Sequence, residues 1–447
     1  MFESKVHNRV ALLGRSLRNC ILRLVRATSG IPSATARNLA VTVLMGCVFA
    51  AGQTLTTLYN FGSNPRDGAD PSAGVVFDKA GNLVGAAAIG GGQGRGMLFQ
   101  LSPPATPGAP WTETILKQFH KNPDGGFPEC RLIVTSTGEL VGTTFQGGVN
   151  NAGTAFLLRP PAVPGDPWKQ RVMYNFGNFP GDAVNPNAGL LTKGQAYYGV
   201  GSGGANFTGA VFQLMPPARR ADPWTETILY SFAERGSGDA GFPSGELIMD
   251  KSGNLYGNAL LGGANDQGAV YELSPPAVKG NPWTEKVIYS FNGTDGTLPS
   301  GRLLLDATGT LYGTADGGGT SGAGNVFQLA PPVAPGDPWT ETVLYSFSGG
   351  VDGSSPAAGV VMNRQGRIFG TAQHGGNGGP RNSGGVVFAL DPPAMPGGAW
   401  TETVLYSFGG PDGFLPASLL KLRNGKLYGT TSQGGPFGTG TVFVLKP

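Results

Sequence analysis

The sequence predicts an all-β fold, a seven-bladed β-propeller of four-stranded blades closed by an N-terminal strand that pairs with the last blade. Three observations carry this expectation. The six tryptophans, Trp111, Trp168, Trp224, Trp283, Trp339 and Trp400, recur 56 to 61 residues apart, and "WTETVLYSF" occurs verbatim at 339–347 and 400–408. A second landmark has seven members, Phe61, Phe119, Phe176, Phe232, Phe291, Phe347 and Phe408, each ending a run such as "TTLYNF" or "VLYSF". Each unit also offers four short apolar runs between turn signals, which is the make-up of a propeller blade. Glycine (76) and proline (36) are abundant enough to raise the question of disorder, but 40% of the 447 residues are hydrophobic and they recur in order. Such a composition suits short strands joined by tight turns.

In chain order, residues 1–52 come first and read as a targeting segment ahead of a repeat domain at 53–447. They carry Lys5, Arg9, Arg15, Arg18, Arg23, Arg26 and Arg37 against one acid, Glu3. The apolar run Leu39–Ala51 follows Arg37 and exits through "VFA", the pattern of a secretory signal peptide. The run is too short to span a bilayer, which takes about 20 residues, so no transmembrane span is expected in the mature chain. The expected address is secreted, extracellular or cell envelope, with a mature start near Ala51. "LMGC" at 44–47 offers a second route, a lipoprotein anchored through Cys47. Without the leader, Cys130 is the one remaining thiol and no intrachain disulfide can form, so stability must come from packing and ring closure.

"TLTTLYNF" opens the repeat region as an orphan of the Trp-headed strand type. The unit then runs through a "DGxxP" loop, an apolar strand, a "GNLYG" strand, a Gly-rich loop, a "GxVFxL" strand and a "PPAxPGxPW" turn. The odd positions of "WTETVLYSF", Trp339, Glu341, Val343, Tyr345 and Phe347, alternate with Thr340, Thr342 and Ser346, and are expected to share one face of a strand. A lone four-stranded sheet cannot bury both faces, so blades must stack, with Trp wedged between them. Runs of the "SAGVVFD" type are assigned innermost and those of the "TETVLYSF" type outermost. The last unit ends in "TGTVFVLKP" with three strands, so Thr54–Phe61 should pair antiparallel with Thr441–Leu445 and remove two open edges. Two residues after each loop proline stand Ala73, Cys130, Ala188, Gly245, Gly301, Ala358 and Ser418, all small, as convergent inner strands require. The next column holds Arg131, Glu246 and Arg302, charges that could line the channel mouth or lie exposed at its edge.

The recurrent phrases "LYSF", "GNLYGN", "KLYGTTSQGG" and "GTVFVLKP" resemble those of the GloVer tandem-repeat family of exported bacterial proteins, also called choice-of-anchor repeat proteins. The resemblance covers Thr54–Pro447. It implies an exported or surface protein and a propeller, and it implies no established activity. Members often carry a C-terminal sorting anchor; no stretch up to Pro447 reads as one.

Beyond residue 52 the chain has 24 basic groups (31 less 7) and 27 acidic ones (28 less 1), a net charge of −3. That balance disfavours nucleic-acid binding. His120 and His374 stand in distant units, and no Cys pair, H-E-x-x-H, G-x-S-x-G or P-loop is present, so no catalytic residue and no transition-metal site is assigned. The candidate ligand-binding residues are the loop aspartates Asp67, Asp124, Asp182, Asp239, Asp295, Asp352 and Asp412, with Arg131, Glu246 and Arg302 at the channel. The aspartates read either as Asx-type turn caps or as a carboxylate ring able to hold Ca²⁺ or sugar hydroxyls. Near-uniform loops favour an exported, monomeric binding or scaffolding propeller for glycan or another surface protein. The alternatives are a polysaccharide lyase or hydrolase working in the central mouth, and a purely structural envelope component.

Overall fold

The computed structural model describes residues 53–447, apart from 107, 121, 164, 220–221, 279, 335, 378–383 and 396. The leader segment and Cys47 lie outside the described residues. Seven antiparallel sheets form a ring, and no helix occurs among the described residues. Blade 1 runs outward through Val75–Phe77, Leu83–Ala87, Met97–Ser102 and Thr112–Gln118. Blades 2 to 6 repeat it over 133–175, 183–231, 240–290, 297–346 and 360–407.

Blade 7 is composite. Lys421–Arg423, Lys426–Thr431 and Thr441–Lys446 take Thr54–Asn60 as their outer strand. The pairing is antiparallel, from Thr54 opposite Lys446 to Asn60 opposite Thr441. It reproduces a detail found in the other blades: a bulge that skips one residue, Leu58 here and Leu344 in blade 5.

The bulge corrects the expected alternation. Because the strand gains an extra residue there, its facing switches midway. Trp339 packs toward the preceding blade, whereas Leu344, Tyr345 and Phe347 pack toward the following one. One short strand therefore serves two seams. The seven hydrophobic clusters each combine side chains of two neighbouring blades, so the core is distributed as a ring of seams. Every tryptophan sits half-buried against one of them.

At each seam the buried landmark phenylalanine of one blade meets an aromatic ring of the next. The pairs are Phe61–Phe99, Phe119–Phe156, Phe176–Phe212, Phe232–Tyr271, Phe291–Phe327, Phe347–Phe388 and Phe408–Phe443, with centroids 4.9 to 5.4 Å apart and tilted or edge-on rings. Such contacts add about 0.5–1.5 kcal/mol beyond burial. The second ring of each pair lies across its own sheet over a glycine, that of "LYG" or of its variants "LVG", "YYG" and "IFG": Gly313 pairs with Phe327, and a Cβ on Gly313 would stand less than 3.0 Å from that ring. The phrase recurs because the ring occupies the side-chain position. Gly313→Ala is expected to cost about 1–3 kcal/mol by overpacking, read by denaturant unfolding.

Tyr271 is the one member of these pairs with a hydroxyl, and that hydroxyl is buried without a hydrogen-bond partner. An unsatisfied buried hydroxyl costs about 1–3 kcal/mol, so Tyr271→Phe should raise Tm. A fall in Tm would show that the hydroxyl is satisfied in solution.

The small-residue column holds the inner strands together. A Cβ on Gly245 or Gly301 would overlap the backbone of the adjoining inner strand, and Arg302 bridges Gly359 across a seam. Cys130 is fully buried, its sulfur accepts from Thr143 N at 3.0 Å, and burial pushes its thiol up to about 11. It is a packing residue with no thiolate to offer near neutral pH.

Candidate functional site

Two sets of polar side chains stand out: one in the seams, one in the central channel. The loop from each outer strand to the next inner strand carries the aspartate. It lies beside the Gly-rich loop of the next blade, as Gly91 N to Asp67 O and Gly204 N to Asp182 O show.

The aspartate oxygens face inward to their own seam. Asp295 accepts from Tyr289 Oη at 2.6 Å and from Asn292 N at 2.8 Å. Asp182 accepts from Tyr174 Oη at 3.0 Å and Asn178 N at 2.6 Å, and Asp239 from Tyr230 Oη at 2.9 Å and Ala233 N at 2.7 Å. Asp67 and Asp352 do the same with Tyr59 and Tyr345, and Asp412 with Tyr406. Asp124 is the variant, paired with Lys117 where the other outer strands have tyrosine. No group of three or more His, Cys, Asp or Glu suited to a metal occurs among the described residues.

A partner for these aspartates, which the sequence reading passed over, comes from the outer strand of the following blade. It is the glutamate of "TET": Glu113 beside Asp67, Glu226 beside Asp182, Glu285 beside Asp239, Glu341 beside Asp295 and Glu402 beside Asp352. Burial, and then the charge or hydrogen bond of the aspartate, pushes Glu285 up to about 8 and Glu341 and Glu402 to about 7. Glu226 is pushed up to about 10, and Glu113 also moves upward. Facing oxygens at these seams, such as Glu285 Oε1 and Asp239 Oδ1, are buried without a donor. A proton held on the glutamate would supply one, in the direction in which burial and the neighbouring aspartate push it. The remaining seams are built differently. Gln170 stands where Asp124 already has Lys117, its amide donating to Asp124 O at 2.7 Å, and Leu55 takes the glutamate position beside Asp412. The signal in the sequence was this covariation: the seam that gains a cation lacks the acid.

The channel departs from the repeat. Arg131 of blade 2 reaches past blade 3 to Glu246 of blade 4 in a two-pronged bridge, Nε to Oε1 at 2.7 Å and Nη2 to Oε2 at 2.5 Å. Gly189 of blade 3 makes this possible, because a Cβ there would lie 2.6 Å from Glu246 Oε1. Arg302 of blade 5 approaches the same carboxylate at 3.5 Å. The three charges expected at the channel are thus brought together. Although burial opposes its charge, the Glu246 carboxylate holds Arg131 above its ordinary value, whereas burial draws Arg302 below it. Two basic residues join them that the sequence reading did not single out. Lys421 is held below its ordinary value by burial and by Arg131, Arg302 and Arg423. Arg423 lies over the Phe77 ring at 4.1 Å. Their signal was available: the inner strand of blade 7, "KLR", is the most basic of the seven. A cavity of about 300 Å³ opens beside Glu129, Arg131, Glu246 and Arg302, and one of about 480 Å³ beside Phe77, Arg131, Lys421 and Arg423.

Fold and site define a ring-closed propeller built of tandem repeats around a charged channel. The chain belongs to the Gloeobacter/Verrucomicrobia repeat family, whose profile matches residues 105–279 and 221–443, more than half its length. This agrees with the family resemblance read from the repeat phrases. None of the curated proteins matches the sequence. Among solved structures, the extracellular domain of a protein described as a hybrid two-component system from B. thetaiotaomicron is similar in fold, with TM-score 0.50 and 10% identity over 88% of this chain and 40% of that one. A protein from Bacteroides uniformis described as a 6-phosphogluconolactonase matches with TM-score 0.47 and 10% identity over 80% of this chain and 88% of that one. At such identities the likeness concerns the fold alone. No helix among the described residues is long and apolar enough to cross a membrane.

Proposed function

We propose that this propeller is an exported binding or scaffolding module whose ligand enters the central channel. The observation that supports it is where the repeat is broken. The seams and loops are close to uniform, whereas the channel gathers Arg131, Glu246, Arg302 and Lys421, each from a different blade. Binding sites concentrate atypical residues in this way. The test is a glycan array and a panel of surface proteins, combined with a polysaccharide-turnover assay on the same samples. Retention of a ligand without turnover is expected. Turnover would instead favour an enzyme, and no retention of any kind would leave a structural role.

Residues 1–52 are read as the export segment, and the mature chain as starting near Ala51. N-terminal sequencing checks this; an intact Met1 or a lipid on Cys47 would overturn it. The loop aspartates are read as seam caps. Asp295→Ala is expected to cost about 1–3 kcal/mol through the orphaned Tyr289 hydroxyl and loop N–H, and Ca²⁺ should leave the melting temperature of parent and variant unchanged. A Ca²⁺-dependent rise abolished by the substitution would make the aspartate ring a cation site.

A further inference from the structure

We propose that the waist of the channel, where Arg131 and Arg302 meet on Glu246 and Lys421 lies near both arginines, binds a small, multiply charged anion bearing carboxylate or phosphate groups. The inference rests on the channel being a ligand site and names the class of ligand it takes.

Charge is the first argument. The chain beyond residue 52 is net acidic, yet Arg131, Arg302, Lys421 and Arg423 outnumber the acids around them: Glu246 on the two arginines, Glu129 on the wall of one cavity and Asp78 on that of the other. The Glu246 carboxylate is already engaged on both oxygens by Arg131. Arg302 Nε is buried and has no hydrogen-bond acceptor, its nearest approach to Glu246 being 3.5 Å. Lys421 forms no ion pair among the described residues. Unpaired like charges in a partly buried site cost stability, and an anion that bridges them offsets that cost.

Shape is the second. Arg131 lines both cavities, and volumes of about 300 and 480 Å³ admit small molecules rather than polymer segments. The matching inner positions of blades 1, 3 and 6 are Gly74, Gly189 and Gly359, which add no side chain to the channel; at Gly189 the place is taken by the Glu246 carboxylate. A planar guanidinium and a flexible ammonium around one space suit carboxylate and phosphate oxygens.

The experiment measures melting of the full chain at pH 7 in sodium chloride, sodium malonate and sodium phosphate at matched ionic strength, for parent, Lys421→Gln and Arg302→Gln. Malonate or phosphate should raise the parent Tm above the chloride value with saturation at millimolar concentration. The two arms tell carboxylate from phosphate. In chloride, Lys421→Gln should melt no lower than the parent, because a repelled charge is gone, while its apparent Kd for the anion rises at least tenfold. Arg302→Gln should show the same loss of response. An unchanged response in Lys421→Gln, or no response of the parent to either anion, overturns the proposal. If the anions fail and the array returns a neutral ligand, the anion site alone falls; if both fail, the binding role falls with it.

Discussion

Removing residues 1–62 is expected to abolish cooperative melting and to cause aggregation, whereas a chain starting at Thr54 should melt as one unit. The truncation takes away the outer strand of blade 7 and leaves Thr441–Lys446 as an open edge with unpaired N–H and C=O groups. It also removes Leu58 and Phe61, buried at the seam where blade 7 meets blade 1, and with them the partner of Phe99. Each large apolar side chain of this kind contributes about 1.5–3 kcal/mol by burial alone. The point variant Phe61→Ala isolates the packing contribution and should cost about 3–5 kcal/mol. Light scattering and calorimetry on the two truncations decide the matter. If the shorter chain melts as the longer one does, the N-terminal strand is dispensable and the ring is held by its other six seams.

Stability should also fall as pH rises from 5 to 8, by on the order of 5 °C in Tm. Five seam glutamates have values raised above the ordinary carboxylate range, so the folded chain binds protons more tightly than the unfolded one. Their contribution is therefore complete below about pH 4.3, the unfolded value. It is lost as pH climbs through the folded values of about 7 and 8 for Glu341, Glu402 and Glu285, and later for Glu226. An opposing acid limit comes from Asp124 and Asp352, which burial would raise but which Lys117 and Ser348 hold below the ordinary value; their stabilisation disappears as pH falls through that lowered range. The optimum should thus lie on the acid side of neutrality. Replacing all five glutamates by glutamine should flatten the profile and raise Tm at pH 8. The second seam already carries Gln170, so the substitution is compatible with the fold. A profile that keeps its slope in the five-fold variant would place the titrating groups elsewhere.

The architecture was legible because the repeat is a packing unit. A phenylalanine or a glycine that returns every blade does so because the same seam is built seven times, and the strand order followed from which runs sit between which turns. Closure was legible for the same reason: "TLTTLYNF" has the outer-strand pattern and only blade 7 lacked one. The facing of the outer strand was misread, because a bulge adds one residue without marking itself in a pattern of period two. The aspartates were visible but their partners were not. Tyr289, Asp295 and Glu341 meet from two blades, and nothing in the local sequence around Asp295 announces the glutamate 46 positions onward. At the channel, Arg131, Glu246 and Arg302 were found as the charged members of a column that otherwise holds Gly74, Gly189, Gly359 and Leu419. Lys421 and Arg423 escaped because they sit two and four residues farther along the strand, in positions that vary from unit to unit.

The composite seventh blade also sets a schedule. The partners of the closing sheet are almost the whole chain apart, residues 54–60 on one side and 441–446 on the other. Blades 1 to 6 can assemble on a growing or emerging chain, one against the last, but the ring stays ajar until the final strand arrives. For a chain threaded unfolded through a membrane pore, this postpones completion to the moment the C-terminal residues clear the exit. The first strand must wait that long with its edge unpaired, and any factor that shields nascent chains would find its most durable target there.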